Sequence, residues 1–313
     1  PGGIPARNIF VVNVVSSAPQ QVTGGDARIH IQIPPTVPLY LVEVLVNGVN
    51  QRKHFSQIPG TRTLTGVIDG LALGDNTLTV QAKRRGKGSA HPVTLTLTNY
   101  PITGPVFSGP HQYPFVCTVQ TSGLGQPLVD NDTTGIPVSN PSGQVVGYSR
   151  DCSIEPNIEY VYKSTDGTFK PYTLGGDRPA DITKTTTMDG LTVNYIVRWE
   201  QGTINRFIYS IAMLAPFDTS PKDLKRRAWN GKLIYHFDGG VGIGHSQGIP
   251  SKSTMLYDPG LSRGYAVAYS TGTTTDTHYN LVLGGETALM VKERFVELYD
   301  VPIYTVGLGG SGG

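Results

Sequence analysis

The chain has 313 residues, with Gly 39, Pro 23 and only 15% charged residues, a mixture that favours short strands and turns over a helical bundle and a length that favours two domains. Its formal net charge of +2 calls for neither nucleic acid nor an anionic membrane as partner. No apolar run reaches the ~18 residues of a membrane-spanning helix, so no membrane insertion is expected.

The opening, "PGGIPARNIF" without Met, reads as a processed or trimmed start. Residues 1–100 follow a β pattern. "NIFVVNVV" is apolar. In "ARIHIQI" Ala27, Ile29, Ile31 and Ile33 share one face, with Arg28, His30 and Gln32 on the other. Asn47-Gly48 breaks the next apolar run as a hairpin turn does. Turn signals recur about every ten residues, and the stretch is expected to form an immunoglobulin-like β-sandwich. The basic run "KRRGKG", from Lys83 to Gly88, reads as a solvated turn.

Residues 101–182 form a Pro/Gly-rich linker and cover segment. The prolines of "YPITGPVFSGPHQYPFVC" bar regular helix and central strand. Cys117 and Cys152 flank a polar stretch. They are expected to pair as a disulfide, which implies an oxidising compartment and hence a secreted protein, extracellular or periplasmic. There is no C-x-x-C and no H-x-x-x-H, so neither metal nor cofactor is expected.

Residues 183–313 change pattern. "LTVNYIVRWEQG" and "RFIYSIAMLAP" read as two strands around a turn at Gly202. "KLIYHF" is a third strand and runs into "DGGVGIGHSQG"; "GYAVAYS" is a fourth. "GGETALMVKERFVELYD" has helical spacing at Ala288, Leu289, Lys292, Phe295, Val296 and Tyr299, with Lys292 at the border of that face. "VPIYTVG" is a fifth strand, and "GGSGG" closes the chain. This is the element order of the N-terminal half of an α/β-hydrolase sheet ending at the nucleophile elbow. The expected fold class is therefore α/β, preceded by the β-sandwich.

Gly309-Gly310-Ser311-Gly312-Gly313 fits G-x-S-x-G. The elbow needs small residues on both sides because the serine sits on a sharp, strained turn. The same letters suit a flexible tail, but the preceding strand favours the turn. Ser311 is the candidate nucleophile. An oxyanion site needs backbone N–H donors aimed at the developing charge. Gly312 supplies one candidate, and Gly239 and Gly240, in the glycine-rich loop after the third strand, supply the other. Asp238 and His245 are candidates for pocket lining. In an α/β-hydrolase the acid and His follow the serine. All seven histidines precede Ser311. The acid and base are thus expected after residue 313, from a C-terminal hydrolase fragment as a separate chain or segment.

"TNYPITGPVFSGPHQYPFVC", "WNGKLIYHFDGG", "LSRGYAVAYS", "ETALMVKERFVELY" and "YTVGLGGSGG" resemble a secreted bacterial family of unknown function. Its members are distantly similar to tannases and feruloyl esterases. The resemblance implies a native serine turn with Ser311 as nucleophile, and it supplies no substrate. The expected function is a secreted serine hydrolase that cleaves carboxylic esters by an acyl-enzyme mechanism, with an ester-containing substrate as partner. The alternatives are an amidase or acyltransferase with the same site, or a non-catalytic secreted β-rich binding protein.

Overall fold

The structure is a computed structural model of the chain in which residues 8–83, 90–215 and 228–313 are described. The basic run beginning at Lys83 lies, apart from that residue, outside them. The chain divides into two compact units: Pro1–Val106 with Glu293–Asp300, and Phe107–Lys292 with Val301–Gly313.

The first unit contains β1 (Val11–Val14), β2 (Val22–Thr23), β3 (Ala27–Gln32), β4 (Val42–Val46), β5 (Val49–Asn50), β6 (Phe55–Gln57), β7 (Thr63–Ile68), β8 (Gly74–Ala82) and β9 (Val93–Tyr100). They form a four-stranded sheet, β1-β3-β7-β6, and a five-stranded sheet, β2-β9-β8-β4-β5. The period-2 pattern of β3 puts Ala27, Ile29 and Ile31 inward, where they join Leu64 and Ile68 of the same sheet and Val44, Leu78, Val80 and Leu97 of the other in one core. Asn47 and Gly48 turn β4 into β5 with φ of 49° and 84°, the conformation that selects this pair.

The second unit begins with a hairpin of β10 (Ile136–Ser139) and β11 (Val145–Ser149). Then come β12 (Asn157–Lys163), β13 (Phe169–Pro171), β14 (Lys184–Thr186), β15 (Thr192–Asn194), β16 (Ile196–Ile204), β17 (Phe207–Leu214), β18 (Lys232–Asp238), β19 (Ala266–Thr274) and β20 (Tyr304–Leu308). Two single-turn helices, α1 (Lys252–Met255) and α2 (Asp258–Leu261), precede β19, and α3 (Leu281–Tyr299), whose residues from Glu293 onward are counted in the first unit, precedes β20. Seven strands make one mixed sheet in the order β13-β12-β16-β17-β19-β18-β20. β12, β16, β17 and β19 pair antiparallel, whereas β18 runs parallel to both β19 and β20.

β16, β17 and β19 are buried along their whole length, apolar and polar residues alike. Polar residues inside them are paired. Tyr209 OH donates to Glu200 Oε1 at 2.7 Å, Arg198 to Glu200 Oε2 at 3.1 Å, and Trp199 Nε1 to Ser210 Oγ at 2.8 Å. Asn280 caps α3, its Oδ1 accepting from the amides of Val282 and Leu283 at 3.2 and 3.1 Å.

The expected fold class, an immunoglobulin-like sandwich followed by half of an α/β-hydrolase sheet, does not hold. Among the described residues there are twenty strands, one long helix and two single-turn helices; the chain is β-rich throughout. The physical reason is pairing. In the seven-stranded sheet the strands ahead of β18 hydrogen-bond as antiparallel neighbours, which need only short connections, so no helices are required to carry the chain between them. The turn assigned to Gly202 also moves. β16 runs through Gly202, where a side chain would meet the Tyr209 ring at 2.8 Å, and the reversal falls at Asn205 and Arg206.

Candidate functional site

The parallel pairing sets the site. β18 lies between β19 and β20, so the segments leaving all three carboxyl ends meet: Asp238–Gly244 after β18, Thr275–Asn280 after β19 and Gly309–Gly313 after β20. Backbone bonds tie the first two together, with Gly242 N donating to Thr275 O at 2.7 Å and Asp276 N to Gly239 O at 3.2 Å.

Ser311 stands at the tip of a tight turn closed by Gly313 N to Gly310 O at 2.9 Å. Its φ is 55°, a conformation that a non-glycine residue adopts only where the surroundings enforce it. The flanking glycines are a packing requirement. A Cβ on Gly309 would lie 2.4 Å from Gly313 C, and one on Gly313 would lie 2.8 Å from Asp238 C. A Cβ on Gly239 would lie 2.9 Å from Ser311 Cβ, and one on Gly312 would lie 2.5 Å from Thr275 Oγ1. The structure thus brings Ser311, Gly312, Gly239 and Asp238 together.

The proposed donors differ. Gly239 N–H donates to Asp238 Oδ1 at 3.0 Å, so that amide is engaged. Asp238 Oδ2 in turn accepts from Thr254 Oγ1 at 3.0 Å, which fixes the carboxylate beside the loop. The Gly240 and Gly312 amides meet no protein acceptor among the described residues. Gly240 has φ of 116°, and a side chain there would strike Asp276 at 2.4 Å. Ser311 is exposed, and no described side chain hydrogen-bonds its hydroxyl.

Two cavities open here. One of about 230 Å³ is lined by Phe237, Thr275, His278, Asn280, Gly312 and Gly313. A second, about 570 Å³, takes in His111, Phe115, Arg206, His245, His278 and Asn280. His245 therefore lines the second and not the one at Gly312, and its backbone carbonyl accepts from Val116 N at 2.8 Å. His278 borders both. Burial lowers its pKa, and its ring stands 5.2 Å from that of Phe207. His236 is held aside, its Nδ1 2.9 Å from Phe237 O.

Cys117 and Cys152 form the expected disulfide, with Cα atoms 5.5 Å apart. Beside it lies Gln247, fully buried, which the sequence reading missed. Its Oε1 accepts from the amides of Thr118 and Val119 at 2.9 and 3.1 Å, and its Nε2 donates to Cys152 O and Arg206 O at 3.0 and 2.9 Å. Glu286 was missed as well. It accepts from Ser108 N and Oγ at 2.7 and 2.8 Å and from Asn205 Nδ2 at 3.0 Å. Nothing in the sequence distinguishes either from a surface residue of its type. Among the described residues no cluster of His, Cys, Asp or Glu is placed to hold a metal ion, and no helix is long and apolar enough to cross a membrane.

The chain matches the tannase-like family of unknown function (DUF6351) over residues 12–313, and it belongs to that family. No curated protein matches it. Among solved structures it is similar to bovine butyrophilin, at 12% identity over 65% of this chain and 91% of that one, with a TM-score of 0.19. It is also similar to a post-proline cleaving enzyme from Rickettsia typhi, at 9% identity and a TM-score of 0.21. That match covers 99% of this chain and 32% of the enzyme's. Both likenesses are too slight to carry structural inference.

Proposed function

Taking membership of the tannase-like family as premise, we propose that the protein is a secreted serine hydrolase of carboxylic esters, with Ser311 as nucleophile. The observation that carries the reading is the Ser311 turn itself: a non-glycine residue at φ of 55°, seated on Gly239 and flanked by the unclaimed Gly312 amide. Strain of this kind persists where a side chain must be presented in one direction. The serine oxygen attacks the ester carbonyl, forming a tetrahedral intermediate. The Gly312 and Gly240 amides donate to its oxyanion, and expulsion of the alcohol leaves an acyl-enzyme that water hydrolyses. Gly239 is assigned to packing under the serine, because its amide is taken by Asp238.

An imidazole must reach Ser311 for the proton transfer. We assign the acid and the histidine to a segment outside residues 1–313. In support, β20 is the edge strand beside the serine turn and leaves Ile303, Tyr304 and Val306 exposed, apolar groups that such a segment would cover. The disulfide fits the secreted assignment. One observation favours the second reading, a non-catalytic binding protein: Ser311 Oγ has no base among the described residues. A fluorophosphonate probe separates the two. Adduct formation at Ser311, mapped by peptide mass and abolished in Ser311→Ala, is the expected result. An esterase-active sample labelled elsewhere removes Ser311 from the mechanism, and an unlabelled, inactive one favours the binding protein.

A further inference from the structure

The turn between β16 and β17 is buried, and its second residue is an arginine. Hairpin tips ordinarily lie in water, yet Asn205 and Arg206 are only 1% and 3% exposed. Their φ values, 53° and 68°, are both positive. That is the two-residue type I′ arrangement, for which Asn-Gly is the favoured pair. An arginine in the glycine position is a backbone outlier. The turn is held from several sides. Asn205 Nδ2 donates to Glu286 Oε1 and Thr287 Oγ1, both at 3.0 Å, and Arg206 O accepts from Gln247 Nε2.

Among the described residues the guanidinium this presents forms no ion pair, although the charge of Asp151 reaches it. It lies 4.1 Å from the Phe115 ring centroid and 5.4 Å from that of Tyr113. Its Nε and Nη1 are buried without an acceptor. Ring contacts offset only part of the cost of a buried charge. Asp151, whose field reaches Arg206, stands 3.7 Å from Arg150 Nε and 3.9 Å from His111 Nδ1. Glu286 is occupied by Ser108 and Asn205.

Arg206 lines the cavity of about 570 Å³. That lining also holds three histidines, His111, His245 and His278, and no carboxylate. Phe115, Phe207 and Leu283 supply apolar wall. We propose that this cavity is a binding site for the carboxylate of a small organic acid, with Arg206 as the residue that recognises it. A guanidinium pairs with a carboxylate through charge-assisted hydrogen bonds, and with Nε and Nη1 buried the outer nitrogen Nη2 is the one that reaches the cavity. The apolar wall suits an aliphatic or aromatic body better than a hydrated phosphate, and one permanent cation balances one negative charge. The cavity shares His278 and Asn280 with the pocket at Gly312. Resting on the hydrolase reading, the site then selects esters that carry a second, free carboxylate.

Calorimetric titration with benzoate and with its neutral isostere benzamide tests the site without turnover. The intact protein is expected to bind benzoate at least ~10-fold more tightly, an increment in keeping with one charge-assisted pair. Arg206→Gly, which places the favoured residue in the turn, is expected to abolish that preference while the thermal transition remains cooperative. Arg206→Lys keeps the charge without the planar guanidinium and is expected to retain only part of the preference; this variant decides the matter should the glycine variant unfold. Equal affinity for the two ligands in the intact protein, or a preference that survives in the variants, overturns the proposal. Ser311→Ala separates the two readings, because it is expected to keep the benzoate preference. A preference without esterase activity in the intact protein defeats the hydrolase reading alone.

Discussion

Gly239 lies under Ser311 so closely that a Cβ on the glycine would stand 2.9 Å from the serine Cβ and 2.7 Å from Gly310 O. The loop after β18 and the turn after β20 therefore fit only while position 239 has no side chain. Gly239→Ala is expected to push the serine turn off its seat. Displacements near 1 Å cost on the order of 100-fold in turnover, so p-nitrophenyl butyrate hydrolysis should fall by about that factor. Gly310→Ala is the control, since a Cβ there meets nothing within 4 Å, and its activity should stay within about twofold of the parent.

The disulfide joins residues 35 apart in sequence. Closing a loop of that size restricts the unfolded chain, and its removal costs about 2–4 kcal/mol. The Cys117→Ser, Cys152→Ser double variant should lose that much in urea denaturation. The same loss should appear when the parent is unfolded under reducing conditions. A variant as stable as the parent would show that the hydrogen bonds around Gln247 hold the segment unaided.

Individual elements were legible because their signals are local. The alternation in β3, the Asn47-Gly48 turn, the spacing of α3 and the glycines around Ser311 each lie within a few residues of one another. Strand pairing is not local, and there the reading failed. "VRWEQG" and "RFIYSIAML" look alike whether their neighbours are parallel or antiparallel, and the parallel trio β19-β18-β20 with its one long helix suggested a larger α/β sheet. Glycine usually marks a turn, but Gly202 instead clears space for Tyr209. The true turn, Asn205-Arg206, carries an arginine where the rule expects glycine. Gln247 and Glu286 left no trace, since burial is what gives a lone Gln or Glu its importance, and burial is decided by the fold.

Gln247 gives the most direct stability test in the second unit. Its side chain joins four backbone groups, on Thr118, Val119, Cys152 and Arg206. Gln247→Leu keeps much of the volume and strands all four. Each buried orphan costs about 1–3 kcal/mol, with incomplete additivity, so a loss on the order of 3 kcal/mol or more is expected in chemical denaturation. The benzoate preference should fall as well, because Arg206 loses its backbone anchor. A loss below about 1 kcal/mol would mean that other donors replace the amide.

Glu293 sets a pH dependence in the first unit. Thr23 N and Oγ1 donate to its two oxygens at 3.1 and 2.5 Å. Burial nevertheless pushes its pKa up to about 7, while these bonds act to lower it. Glu297 is also raised well above its ordinary value, by burial and then by the charge of Glu293. A carboxyl group whose folded pKa exceeds its unfolded value binds its proton more tightly when folded. Its stabilising contribution is complete below the unfolded value, near 4.5, and is lost as pH rises through about 7. At roughly 1.4 kcal/mol per unit, the loss attached to Glu293 is on the order of 3 kcal/mol. Glu293→Gln carries no titrating proton and can still accept from Thr23. Relative to the parent, the variant should therefore be more stable at pH 8 than at pH 5, the difference growing between those limits. Urea denaturation of both proteins at pH 5, 6, 7 and 8 checks this; groups that do not feel the Glu293 charge cancel, and Glu297, which does, shifts the difference in the same direction. A stability difference that stays constant across the series would show that Glu293 titrates alike in the folded and unfolded chain.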